Sequence, residues 1–153
     1  MKKCIYIAVI LLLAVSCWQR QDDALLESIE IGHSLLEQKR YSEAMEAYSQ
    51  AETRALKADD QYSLGIIYQH IAHTYNATGG HSEEIAYLDR AIQAYEKAGK
   101  PYNSLHVYFE SGVARHNFQD YASAEKIFRN TMFQAHQAAD TLLEAACLEA
   151  YAA

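Results

Sequence analysis

The chain has 153 residues, half of them hydrophobic, and its 13 Lys and Arg residues against 20 Asp and Glu residues give a formal charge of −7. This length suits a single domain with a real hydrophobic core. A surface that binds nucleic acid needs a field of Lys and Arg side chains, so the acidic balance disfavours direct binding of nucleic acid.

The first 16 residues have the three-part plan of a secretory signal peptide. Two lysines precede an apolar run from Ile5 to Val15, and a small residue, Ser16, follows it. Eleven residues of helix extend about 17 Å at a rise of 1.5 Å per residue, which is well short of the ~30 Å hydrocarbon core of a bilayer. We therefore predict that residues 1–16 are a cleaved signal peptide and not a permanent transmembrane helix.

The end of this segment, Leu13 to Cys17, places small residues directly before a cysteine. It resembles a bacterial lipobox, in which the cysteine is linked to diacylglycerol and becomes the new N-terminus. The resemblance implies lipidation of Cys17, a short tether at residues 17–21, and a domain held outside the cytoplasm on a membrane of the bacterial cell envelope. Because Trp18 and not Asp follows the cysteine, the outer membrane is favoured. Simple secretion and a retained signal anchor are the alternatives.

Removal of the signal peptide changes the charge and the cysteine content of the chain. Loss of Lys2 and Lys3 takes the formal charge from −7 to −9. Cys4 leaves with the signal and Cys17 is acylated, so Cys147 is the one remaining thiol and no intramolecular disulfide is expected. Its Ala- and Leu-rich surroundings predict a small core residue.

From residue 22 onward, apolar residues recur at spacings of three and four, which predicts a helical chain throughout. Asp, Gly and Pro interrupt this pattern at regular intervals, and they are typical start and stop signals of helices. The predicted helices cover residues 22–38, 41–58, 60–77, 81–98, 101–117, 121–139 and 141–152. Short turns between them predict antiparallel helical hairpins.

A shift of forty residues aligns the sequence with itself without a gap. It brings a small residue, Gly32, onto Ala72 and Gly112. The other aligned sets are Leu35 with Tyr75 and Arg115, Tyr41 with His81 and Tyr121, Ala44 with Glu84 and Ala124, Tyr48 with Leu88 and Phe128, and Ala51 with Ala91 and Thr131.

These columns resemble the tetratricopeptide repeat, whose small residues let the two helices of a hairpin touch while bulky residues fill the space beside them. The resemblance implies an all-α, TPR-like helical-hairpin solenoid of about three and a half 40-residue repeats. A domain at 22–153 then has units near 25–64, 65–104 and 105–144 and a partial fourth at 145–153. Glu84, Thr131 and Arg115 depart from the family pattern. An ordinary helical bundle is the alternative.

The sequence offers little that resembles catalytic or metal chemistry. His70 and His73 stand one helical turn apart, but no Cys or carboxylate completes a zinc-ligand pattern, so we predict no metal site. Neither a Gly-x-Ser-x-Gly motif nor a phosphate-binding loop is present, and we predict neither enzymatic activity nor a cofactor. The acidic residues are expected on solvated helix faces, as at Glu43, Glu46, Glu83, Glu84 and Glu125.

The family resemblance implies that the first helix of each hairpin lines a concave surface. If the small column faces the partner helix, the concave side is expected to be neutral and rich in amide and imidazole groups, which suit the backbone of an extended peptide. Phe109 is the expected apolar anchor, and protonated imidazoles are expected to favour an acidic ligand. The predicted groove residues are His33, Gln69, His73, Asn76, His106, Phe109, His116 and Asn117.

The sequence thus predicts a membrane-anchored, exported scaffold that binds a protein or peptide partner. The alternative is the N-terminal sensor segment of a larger bacterial signalling or regulatory protein. In the predicted helix at 141–153, apolar residues lie on all faces. A helix that caps a repeat array needs a polar outer face. We therefore also expect the helical array to be incomplete within this sequence.

Overall fold

A computed structural model of the chain describes residues 23–152. The predicted signal peptide, Cys17 and the tether lie outside these residues. All regular structure in the described part is α-helical, and every predicted helix is present with its bounds within two residues of the prediction. The helices are α1 (23–37), α2 (Tyr41–Ala58), α3 (Gln61–Thr78), α4 (His81–Lys97), α5 (Pro101–Asn117), α6 (Tyr121–Gln137) and α7 (Thr141–Ala152).

Every turn between consecutive helices contains one residue with a left-handed backbone, and these residues recur every twenty positions. The N–H of the next residue donates to the carbonyl five positions back, as Gly80 does to Tyr75 at 2.8 Å. This is the Schellman motif, which satisfies carbonyl groups left over at a helix end. The left-handed residues are Lys39, Asp59, Gly79, Gly99, Gln119 and Ala139.

Aspartates begin several of the helices. Asp60, Asp120 and Asp140 each accept a hydrogen bond from the backbone N–H three residues further on, at 3.0, 3.3 and 3.0 Å. Such a cap satisfies one of the free N–H groups of the first turn and is favoured by the positive end of the helix dipole. The breaks in the apolar pattern of the sequence are therefore the positions at which one helix ends and the next begins.

The described chain divides into two compact units, one ending at Arg54 and one beginning at Ala55, so the division falls within α2. In the first unit α1 packs on α2 at one close contact: a side chain added at Gly32 would overlap the ring of Tyr48, which is fully buried. Arg54 of α2 also donates to the hydroxyl of Ser28 in α1 at 2.7 Å.

In the second unit α3 to α7 pack in chain order, each against the next, and α5 also contacts α7. One core cluster between α3, α4 and α5 includes Ala72, Leu88 and Tyr95. A second, between α5, α6 and α7, contains Leu105, Ala135, Leu143 and Cys147. Cys147 is fully buried, which confirms its predicted place in the core, and burial raises the pKa of its thiol to about 11.

The small-residue column faces the partner helix, as predicted. A Cβ at Gly112 would lie 2.5 Å from the Phe128 ring, and Ala72 is buried in one cluster with Leu88. The contact of Gly32 with Tyr48 therefore recurs forty and eighty residues later with different partners. This recurrence confirms the all-α, TPR-like packing of consecutive helices.

Two departures from the repeat pattern are accommodated by polar pairing. Glu84 is only 8% exposed, so the expectation that it lies on a solvated face is wrong. Its carboxylate accepts a hydrogen bond from the Asn76 amide at 2.8 Å, which offsets the cost of burying it. Arg115 replaces an aromatic residue, and its guanidinium donates to both carboxylate oxygens of Asp89 in α4, at 3.0 and 2.8 Å.

Candidate functional site

The predicted groove residues divide between the two units. His33 lies in α1, where it is exposed and pairs with Glu37 one turn further on, at 3.5 Å. The other predicted residues belong to α3 and α5 of the second unit, and the site is described from these. On α3 they are Gln69, His73 and Asn76, and on α5 they are His106, Phe109, His116 and Asn117.

A carboxylate, Glu110, joins two of the predicted residues across α3 and α5. The Gln69 amide donates to Glu110 Oε1 at 2.8 Å, and His73 Nε2 lies 3.0 Å from Glu110 Oε2. Tyr95 of α4 completes the arrangement, because its hydroxyl donates to the Gln69 amide oxygen at 3.2 Å. We call Gln69, His73 and Glu110 the α3–α5 polar cluster.

Glu110 corrects the expectation of a neutral lining, which is wrong at this position. The sequence carried a usable signal, since Glu110 stands four residues after His106 and seven before Asn117, on the same face of α5 as these two predicted groove residues. The sequence did not indicate which side chains would pair with Glu110. The side-chain amide and the imidazole come from another helix, 41 and 37 residues away.

The carboxylate also changes the titration of His73. Its hydrogen bond to Glu110 raises the pKa of the imidazole above 6.5, against the opposing effect of burial, and Glu84 adds a smaller effect in the same direction. The side chain of His73 remains 46% exposed and that of Glu110 32% exposed. The protonated imidazole is therefore paired within the protein before it meets any ligand.

Two further predicted residues are similarly engaged. Asn76 donates to Glu84 of α4, as described above. His106 Nε2 lies 3.2 Å from the carboxylate of Asp140, just before α7, in an ion pair when the imidazole is protonated, and its ring packs on Tyr102 at 4.6 Å between centroids. The cap bond from the Leu143 N–H is the main cause that lowers the pKa of Asp140, and His106 adds to it.

The remaining predicted residues have mixed surroundings. Phe109 is half-buried, packs against the second core cluster and lies 5.9 Å from the Phe128 ring. His116 meets Tyr121 edge to face at 5.1 Å, and Asn117 is exposed at the end of α5. The structure thus gathers Gln69 and His73 into one cluster, while Asn76, His106, Phe109 and His116 face other neighbours.

The histidine pair of α3 does not extend into a larger ligand set. The rings of His70 and His73 meet edge to face at 6.1 Å. Among residues 23–152, no three His, Cys, Asp or Glu side chains are grouped so that they could hold a metal ion. Of the helices in the same range, none combines the length and the apolar character needed to cross a membrane.

Comparison with known proteins identifies one repeat. Residues 29–57, which cover most of α1 and α2, match the family model described as tetratricopeptide repeat. No curated protein and no solved structure matches the chain. A tetratricopeptide repeat is thus found at the position of the first predicted unit.

Proposed function

We propose that this protein is an exported, lipid-anchored scaffold of the bacterial cell envelope that binds a polypeptide partner and has no catalytic role. The observation that carries the proposal is the tetratricopeptide repeat at residues 29–57. Such repeats are typical of protein-interaction scaffolds, and stacked helical repeats present extended surfaces to their partners.

The α3–α5 polar cluster is the surface at which we propose that the partner binds. Its amide, imidazole and carboxylate groups are half-exposed, and together they offer both donors and acceptors to the backbone of a peptide. A ligand that replaces one of these bonds with an equivalent bond leaves no buried polar group unpaired, so exchange costs little. We therefore place the partner along α3 and α5, beside Gln69 and His73.

Partner capture tests the binding half of the proposal. The wild type and a variant carrying Gln69→Ala with His73→Ala are used to isolate partners from native cell envelopes, and bound proteins are identified by mass spectrometry. The expected result is loss of at least one partner from the variant. The matched control carries Gln93→Ala with His136→Ala, which removes a glutamine of α4 and a histidine that is likewise paired with a carboxylate, at 3.2 Å from Glu144.

Circular dichroism confirms that both variants are folded. Retention of every partner by the folded Gln69 and His73 variant would contradict the proposed surface. Equal loss in the control would show that the effect is not specific to the α3–α5 polar cluster, and it would count against the proposal in the same way.

Labelling with radioactive palmitate tests the anchor. Wild-type protein is expected to incorporate the label and to sediment with membranes, because the lipobox-like segment places Cys17 at the site of acylation. Cys17→Ala is expected to abolish both, while Cys147→Ala removes a thiol without changing either. Unlabelled wild type that is soluble after export would overturn the anchor and leave the binding surface to its own test.

A further inference from the structure

A cavity of about 360 Å³ opens between α5 and α6. Tyr108 and Arg115 line it from α5. These two residues are seven positions apart and so share one face of the helix, which points away from the face that carries Glu110. The cavity is therefore distinct from the α3–α5 polar cluster.

The charge of the lining is opposite to that of the chain. Two cationic side chains, Arg115 and Lys126, and no carboxylate are among the residues that line the cavity, although the chain as a whole carries −7. Arg115 is fixed in place by Asp89 and Ser111, and Asp89 neutralises part of its charge. Lys126 supplies the positive charge that has no counterion within the described residues.

Uncommitted hydrogen-bond donors accompany this charge. Within residues 23–152, the side chains of Lys126, Asn130 and Gln134 make no hydrogen bond or ion pair with another residue. All three project from one stripe of α6, at spacings of four residues, and line the cavity. An ammonium group and two amides are thus available as donors along the cavity.

The residues that occupy this space differ from those at the matching positions of the preceding repeat. Forty residues earlier, Tyr75 and Tyr87 stack at 5.5 Å between centroids in the equivalent space, and the guanidinium of Arg90 covers Tyr87 at 4.7 Å. Arg115, Ile127 and Asn130 stand at the matching positions, and they line the open cavity instead of forming a ring stack.

We propose that the α5–α6 cavity binds the carboxylate of a glutamate or aspartate side chain of a partner polypeptide. The Lys126 ammonium and the Arg115 guanidinium flank the carboxylate, and the amides of Asn130 and Gln134 donate to its oxygens. Ile127 and Tyr108 pack on the methylene part of the acidic side chain. The site is independent of the partner surface at Gln69 and His73.

Chemical-shift titration of the full chain, labelled with ¹⁵N and purified in detergent, tests this site. The probes are a capped glycine-flanked glutamate peptide, its glutamine counterpart, and free glutarate. The glutamate peptide is expected to shift backbone signals of α5 and α6, and the glutamine peptide to bind about tenfold more weakly, since it lacks the charge that Lys126 recognises.

Two variants probe the cavity by different means. Lys126→Gln removes the unpaired charge from an exposed position, and Ile127→Tyr restores the bulk of Tyr87 without changing charge. Each substitution is expected to lower the affinity for the glutamate peptide about tenfold. Lys97→Gln, which removes a positive charge from α4 outside the cavity, is expected to change the affinity less than about twofold.

Absence of shifts at α5 and α6, or equal affinity in wild type and Lys126→Gln, would overturn the proposal. So would an equal loss in Lys97→Gln, which would show a general effect of net charge. If glutarate bound the same residues as tightly as the peptide, the ligand would be a free carboxylate and not a polypeptide side chain. Lys126→Gln leaves the core intact, so failure of Ile127→Tyr to fold does not affect the test.

Discussion

The hairpin of α3 and α4 and the hairpin of α5 and α6 share a repeat register but differ in what fills the space beside it. In both, a small residue of the first helix meets a large residue of the second: Ala72 with Leu88, and Gly112 with Phe128. Outside that contact, aromatic rings close the first hairpin, with Tyr68 and Tyr87 at 6.0 Å, whereas the second has an open cavity.

The buried columns therefore define the packing of the helices and leave the flanking positions free to vary. Tyr48, Leu88 and Phe128 are all at most 2% exposed. Arg115 stands where Tyr75 stands one repeat earlier, and an ion pair with Asp89 replaces the ring stack. A flanking position can therefore exchange aromatic packing for polar chemistry without changing the hairpin.

The largest effect is expected where the column itself is broken. Phe128→Ala removes a ring that is 2% exposed and should lower the free energy of unfolding by about 3–5 kcal/mol, a large share of the stability of a small domain. Urea denaturation followed by circular dichroism measures it. Phe133→Ala, at an exposed position of α6, is the control, and a similar loss in both variants would contradict the column argument.

An exchange of pairs between the hairpins tests whether the small and the large residue compensate. Gly112→Ala adds a methyl that would lie 2.5 Å from the Phe128 ring, and overpacking of this kind costs about 1–3 kcal/mol. Combining it with Phe128→Leu recreates the pair of Ala72 and Leu88. The double variant should lose at least about 1 kcal/mol less than the sum of the single losses. Strict additivity in urea denaturation would show that the two sites are not coupled.

The turns that follow the two hairpins provide a smaller test. Gly99 and Ala139 occupy matching turns with φ of 66° and 57°, a conformation that costs a residue with a Cβ roughly 1–2 kcal/mol. Ala139→Gly should therefore raise the unfolding free energy by up to about 1 kcal/mol, after the entropy cost of glycine, and Gly99→Ala should lower it by a similar amount. Effects of the same sign in thermal or urea unfolding would refute the backbone argument.

The smallest effect concerns the pH dependence at the α3–α5 polar cluster. The hydrogen bond to Glu110 raises the pKa of His73 above 6.5 in the folded protein. The pair therefore stabilises the fold fully below pH 6.5, the value expected in the unfolded chain, and the stabilisation is lost as pH rises through the folded pKa. Because the imidazole is 46% exposed, the effect should stay below about 1 kcal/mol.

Proton NMR titration of the His73 ring measures this directly. In Glu110→Gln the pKa of His73 is expected to fall, because the main cause of its rise is removed. Glu149→Gln, on an exposed position of α7, is the matched control and should leave the titration unchanged. An unchanged His73 pKa in Glu110→Gln would show that the pairing is not maintained in solution.

The helix bounds could be read from the sequence because local chemistry sets them. Aspartates at positions 60, 120 and 140 cap the helices that follow, and glycines 79 and 99 adopt the left-handed turn conformation that ends a helix. The buried columns could also be predicted from the sequence, because a period of forty residues repeats the same contact between neighbouring helices. The place of Cys147 in the core was also predictable from local sequence, because its neighbours along the helix are apolar.

The partners of the polar side chains depend on how the helices pack against one another. Helical periodicity gives the face on which Gln69, Glu84 or Arg115 lies, but not which side chain of another helix reaches it. Glu84 is buried with its carboxylate paired to the Asn76 amide, and Glu110 reaches Gln69 and His73 because α3 and α5 both pack on α4. A hydrogen bond depends on angstrom-scale distance between distant segments, whereas capping and apolar spacing act within a few residues of the chain. The helices and their buried columns therefore follow from local sequence, whereas the chemistry of the surface depends on how the helices pack.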